Sequence, residues 1–81
     1  MKIPVYCIKD DLLGFQTPFC SMNDGAACRD FENLMTKPDS IYCQHKDMFN
    51  LYKIGIFDSE SGIIDSDVEF VQAATVFERS K

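Results

Sequence analysis

Apolar residues recur every three to four positions in one stretch of the chain, N-D-G-A-A-C-R-D-F-E-N-L-M (Asn23–Met35). Ala27, Phe31, Leu34 and Met35 follow i, i+4, i+7 and i+8, so they share one face of a helix. Asp24, Asp30, Glu32 and Asn33 fall largely off that face. Asn23 is a good N-cap, because its side-chain oxygen can accept an orphan backbone N–H of the first turn; Ser21 is the rival. Asp24 suits the positive end of the helix dipole and Lys37 the negative end. Pro38 stops the helix and sterically pushes Lys37 out of the α region.

The rest of the chain reads as short extended segments. Ile3, Val5 and Cys7 alternate with Pro4, Tyr6 and Ile8, which predicts a first strand over Lys2–Lys9. Both of its faces are apolar, so it belongs at the centre of a sheet or is covered twice. Asp10–Gly14 is a turn in which Gly14 can supply a positive φ. Phe15–Phe19 is the return strand, cut short by Pro18. Asp39–Asn50 is irregular or a short helical turn, capped by Asp39 or Ser40, with Phe49 folded inward. Leu51–Asp58 is the strongest strand, with Tyr52, Ile54 and Ile56 on one face and Leu51, Lys53, Gly55 and Phe57 on the other. Gly55 marks a bulge or a close neighbour. Asp58–Gly62 is a polar turn, Ile63-Ile64 opens the partner strand, and Val68–Ala74 is a further extended segment. Val76-Phe77 tucks under the sheet and Glu78–Lys81 frays.

These elements predict an α+β fold, a small antiparallel sheet of two hairpins and about four to five strands packed on one helix, in the order β-β-α-β-β. A chain of 81 residues is enough for one small domain, residues 1–81. Such a domain buries only roughly 60–65% of its unfolded surface, so the core is thin. The sheet face away from the helix would expose Phe, Tyr and Ile, which points to a partner surface and predicts a homodimer.

No run reaches the ~20 apolar residues of a membrane span, and Met1–Val5 lacks the features of a signal peptide, so a cytosolic protein is expected. The four cysteines, Cys7, Cys20, Cys28 and Cys43, contain no C-x-x-C pair and read as small, reduced side chains. Cys43 and His45 fall short of the roughly four ligands of a zinc site. His45 is the one histidine and has no evident orienting partner, so general-base chemistry is not expected. Asp65 and Asp67, at i and i+2, could hold a cation with Asp58 or Glu60, but such a pair is usually just solvated. The four glycines never cluster into a phosphate loop. Neither an enzyme, nor a cofactor, nor a metal site is expected.

The formal net charge of −5 argues against a basic surface all over. It is unevenly spread: residues 1–53 sum to −1 and residues 54–81 to −4. A local basic patch on the first two-thirds is compatible with that balance. Single-stranded nucleic acid is held by aromatic platforms beside a cationic track. Lys2, Tyr6, Lys9, Tyr52 and Lys53 can meet on adjacent strands if the two hairpins are neighbours. Arg29 and Lys37 lie on the helix, away from the Phe31 face. The plainer reading has both tyrosines half-buried and the lysines merely solubilising.

Several motifs, taken in order, resemble a known family. They are K-D with G-F following (Lys9, Asp10, Gly14, Phe15), T-P-F (Thr17–Phe19), N-D-G-A-A-C-R-D-F (Asn23–Phe31) and P-D-S (Pro38–Ser40). They continue with H-K-D-M-F-N-L-Y-K-I-G-I-F-D (His45–Asp58), G-I-I (Gly62–Ile64) and E-F-V (Glu69–Val71). The series is similar to the small nonstructural protein of gokushoviruses, single-stranded DNA phages of the Microviridae. Lys46 departs from it, standing where the family usually has proline. The resemblance implies a protein made in the cytoplasm of an infected bacterium and absent from the mature particle. It also implies a role in genome replication or in the switch to single-stranded DNA synthesis and packaging. The expected partner is the single-stranded phage genome or, for an acidic adaptor that touches no DNA, phage or host replication proteins.

Overall fold

The computed structural model describes residues 1–77. The expected fraying of Glu78–Lys81 lies outside them. The chain folds as α+β, with a five-stranded antiparallel sheet and one long helix. Strands β1 (Lys2–Asp10), β2 (Gly14–Phe15) and β3 (Phe19–Cys20) precede helix α1 (Asp24–Met35). A short helix α2 (Ile41–Gln44) and a 3₁₀ turn (Lys46–Met48) lead into β4 (Phe49–Asp58) and β5 (Ile64–Ala73), and a second 3₁₀ turn (Ala74–Phe77) follows. The order across the sheet is β2-β1-β4-β5, with β3 also on β1, so β1 is central and the two hairpins are neighbours.

The expected return strand is two pieces rather than one. β2 pairs at Lys9↔Phe15 and β3 at Tyr6↔Phe19, while Pro18, which has no N–H to give a ladder, sits in the gap. Between them the Gln16 N–H donates to the Ile8 carbonyl at 2.9 Å. At the other side of the sheet, the segments starting at Ile63 and at Val68 are one continuous ten-residue strand, β5.

Helix α1 starts as its first residues dictate. Asn23 has extended backbone and its side-chain oxygen accepts the Ala26 N–H at 2.8 Å. Ala27, Phe31 and Met35 are fully buried against Tyr6, Ile8, Phe49, Leu51 and Ala74. Leu34 does not join them; it stays 41% exposed, one position round from the sheet-facing stripe. Past the helix, Ser40 rather than Asp39 caps α2, accepting the Cys43 N–H at 3.0 Å. Asp39 instead takes a positive φ of 69° in the preceding turn. Phe77 meets Phe31 edge to face at 5.8 Å, so it does pack under the sheet, whereas Val76 stays exposed.

A bulge on β4 decides which residues face the helix. Tyr6 pairs with Lys53 but Val5 pairs with Gly55, so Ile54 is the extra residue. Before it, Phe49, Leu51 and Lys53 lie on the helix side with Tyr6 and Ile8; after it, Gly55 and Phe57 lie on the far side with Val5 and Ile3. Simple alternation would keep Leu51, Lys53, Gly55 and Phe57 together. One inserted residue exchanges the faces, because side chains on a strand have a period of two.

The core sits between α1 and the half of the sheet around Ile8 and Leu51. The other half, the end of the β4–β5 hairpin, projects past the helix. The Cα extents of 48 × 23 × 19 Å reflect that projection.

Candidate nucleic-acid interface

On the sheet face away from α1, register brings together residues from four strands. Lys9 on β1 pairs with Phe15 on β2 and with Asn50 on β4. Cys7 pairs with Tyr52, and Tyr52 pairs with Phe70 on β5. Phe15, Tyr52 and Phe70 form a row across the sheet. Phe15 and Tyr52 meet edge to face with centroids 5.4 Å apart, and Tyr52 and Phe70 do so at 5.7 Å. Phe15 is 48% and Phe70 59% exposed, so the row faces solvent. The Lys9 ammonium lies 5.6 Å from the Phe15 centroid and 5.9 Å from that of Tyr52. At those distances the ring quadrupoles hold the cation in place over the row. The paired positions of this face carry no carboxylate, and Lys9 is their one charged side chain.

The residues singled out from the sequence divide between two surfaces. Lys9 and Tyr52 lie together on the open face. Lys53 and Tyr6 lie on the helix side. Tyr6 is fully buried, stacks on Phe19 at 6.0 Å and donates its hydroxyl to an Asp24 carboxylate oxygen at 2.5 Å, so it is a core residue with no surface to offer a ligand. Burial first, and then the bond to Asp24, push its ionisation far above the ordinary tyrosine range. Lys2 is at the far end of β1, 3.7 Å from Asp58. Arg29 is exposed on α1, and Lys37 is exposed beyond its end. The expected single patch of Lys2, Tyr6, Lys9, Tyr52 and Lys53 is therefore not formed.

Two ring residues of the row were not among those singled out. Phe70 faces Tyr52 because Val71 is bulged out of β5; an unbroken register from Leu51↔Gln72 would have set Val71 there. Phe15 reaches the row through the tight turn at Gly14, whose φ is 97°. Only the even spacing of Phe15 and Lys9 about that turn hints at it in the sequence.

All four cysteines are free. Cys7 is buried and donates to the Gln16 carbonyl at 2.9 Å; burial pushes its thiol up, and it does the same at Cys28, so both stay protonated. His45 is exposed at the start of the 3₁₀ turn. Among the described residues no group of three or more His, Cys, Asp or Glu is placed to hold a metal ion, and no helix is long and apolar enough to cross a membrane.

A family model described as phage ORF5 protein matches residues 3–77. The chain belongs to the phage ORF5 protein family. The match takes in every strand of the sheet except the first residue of β1, and the whole of α1. The aromatic row and Lys9 of this ORF5 protein all lie inside it. No curated protein and no solved structure matches the chain. The phage origin implied by the sequence motifs is thus carried by the family itself.

Proposed function

We propose that this phage ORF5 protein is a gokushovirus-type nonstructural protein that binds single-stranded DNA without catalysing a reaction. It would assist genome replication or the switch to single-stranded synthesis and packaging in the cytoplasm of the infected bacterium. The observation that carries this reading is the Phe15–Tyr52–Phe70 row, open to solvent, free of carboxylates and topped by the Lys9 ammonium. Bases stack on aromatic rings with about 1–3 kcal/mol each, and a neighbouring cation neutralises the phosphate between them. Ile3, Phe57 and Ile64 continue the same face along the strands. Two copies meeting there would set two rows end to end, which is the form the proposed homodimer takes.

The test is retention of a labelled oligothymidine by the purified protein, followed by anisotropy across a salt series. One phosphate contact per protomer gives a shallow slope, about −0.7 in log–log form, rather than the steep loss of a basic groove. Absence of retention even at low salt would favour the second reading, an acidic adaptor that contacts replication or packaging proteins. That reading is supported by residues 54–77, which contain five carboxylates and no basic side chain.

A further inference from the structure

Among the described residues, the outer edge of β5 has no strand beside it. β5 ends the order β2-β1-β4-β5, and Ile64–Phe70 are exposed at every position. An unpaired strand presents a row of free N–H and C=O groups, and natural proteins close or charge such edges. Here the charge is of one sign and in alternation: Asp65, Asp67 and Glu69. Asp58, in the hairpin turn, has Lys2 at 3.7 Å, whereas these three have no ion-pair partner among the described residues. Val68, between Asp67 and Glu69, is 59% exposed, Phe70 follows them at 59% and Ile64 precedes them at 54%.

That pattern disfavours pairing with the edge's own copy. Antiparallel pairing of two β5 strands about Asp67 sets Asp67 against Asp67 and Asp65 against Glu69. Centring the pair on Ser66 or Val68 sets Asp65 against Asp67, or Asp67 against Glu69. Like charges directly opposite destabilise a ladder, so each register is opposed. DNA is repelled for the same reason. A strand with basic side chains at every second position reverses each of these terms: it keeps the main-chain bonds and pairs every carboxylate. We propose that β5 is a docking edge that takes an extended basic segment of a partner protein as a sixth strand of the sheet. The bulge at Val71 bounds the usable stretch at one end, and the irregularity opposite the Lys53–Gly55 step falls within it at Asp67-Val68, leaving Ile64–Ser66 and Glu69-Phe70 in regular pairing with β4. The inference does not depend on DNA binding, which uses a face of the sheet and not this edge, and it supplies the adaptor reading with the chemistry of its partner.

The probe is a synthetic peptide of alternating lysine and valine, with an alternating glutamate–valine peptide and an N-methylated lysine–valine peptide as controls. N-methylation at alternate residues removes the main-chain donors and leaves the charge. The unmodified protein is expected to bind the lysine–valine peptide at least tenfold more tightly than either control. An Asp65→Lys/Asp67→Lys/Glu69→Lys variant, checked by circular dichroism, should invert the preference toward the glutamate–valine peptide. Equal affinity for the N-methylated peptide would mean unspecific charge attraction and would overturn strand addition, with no variant needed. An unchanged preference in the folded triple variant would place the binding elsewhere and overturn the assignment to β5.

Discussion

Gly55 faces the main chain of Asp65 so closely that a β-carbon on it would collide with the Asp65 carbonyl oxygen. The obstacle is backbone, not the far end of a side chain, and Ile64 Cγ2 closes in from beside it at 3.3 Å. Gly55 is buried next to the Ile54 bulge, so neither strand can move aside freely. Gly55→Ala should destabilise the protein by about 1–3 kcal/mol, the usual cost of overpacking. Urea unfolding checks this; an unchanged midpoint would mean the hairpin opens there at no cost.

The hydroxyl of Tyr6 and the carboxylate of Asp24 tie the central strand to the first turn of α1. Removing the hydroxyl leaves Asp24 solvated, so Tyr6→Phe should cost only about 1 kcal/mol. The pH dependence is more specific. The folded state holds Tyr6 neutral well above its ordinary pKa of 10.0. Stability from this group is complete below the unfolded value and is lost as pH rises above about 10 toward the folded one. Tyr6→Phe should flatten the alkaline fall in melting temperature between pH 9 and 11, roughly the window in which the unfolded phenol ionises. An identical alkaline slope in the variant would count against the buried, neutral phenol.

Asp58 sets the acid limb. The Glu60 N–H donates to its Oδ1 at 3.0 Å and holds the carboxyl below its ordinary value; desolvation opposes this, and the Lys2 ammonium adds a further lowering. A depressed folded pKa contributes stability above the unfolded value, about 4, and loses it as pH falls through the folded one. Asp58→Asn should therefore lower the melting temperature at neutral pH and converge with the parent protein as pH falls through the lowered folded pKa. Parallel curves from neutral pH down through the acid range would show that the turn gains nothing from the charge.

The cap of α1 is a further stability prediction. Asn23→Ala removes the acceptor of the Ala26 N–H and should cost about 1 kcal/mol, while Ser21→Ala should be near neutral. Equal losses in the two variants, by thermal melting, would mean that the helix start is shared.

Local signals made α1, its cap and both hairpins legible in the sequence. Asn23, the periodic Ala27 and Phe31, and the turn at Gly14 each act within a few residues of chain. The apolar character of both faces of β1 likewise pointed to its central place. The site was less legible because it depends on register between strands. Ile54 and Val71 each insert one residue, and each insertion changes which side chains become neighbours. Gly55 and Phe57 thereby left the Lys53 side for the Tyr52 side, and Phe70 came to stand across from Tyr52. Tyr6 was obscure for a different reason: a tyrosine on a central strand can be a platform or a core residue, and only the position of Asp24 on α1 decides.

The separation of Lys9 from Lys53 gives the sharpest test of the proposed DNA face. Both lysines are on central strands, both are partly buried, and neither makes an ion pair among the described residues. Charge alone would make them equivalent, so replacing either by glutamine would weaken DNA retention equally. The register does not: Lys9 stands over Phe15 and Tyr52, whereas Lys53 is across from Tyr6 on the helix side. Lys9→Gln should weaken oligothymidine binding several-fold and flatten its salt dependence, and Lys53→Gln should leave both unchanged. Phe15→Ala and Phe70→Ala, at rings exposed enough to be removed without emptying the core, should each cost about 1–3 kcal/mol of binding, roughly five- to a hundredfold. Equal effects of the two lysines, with none from the rings, would mean that a diffuse electrostatic contact and not the aromatic row holds the strand.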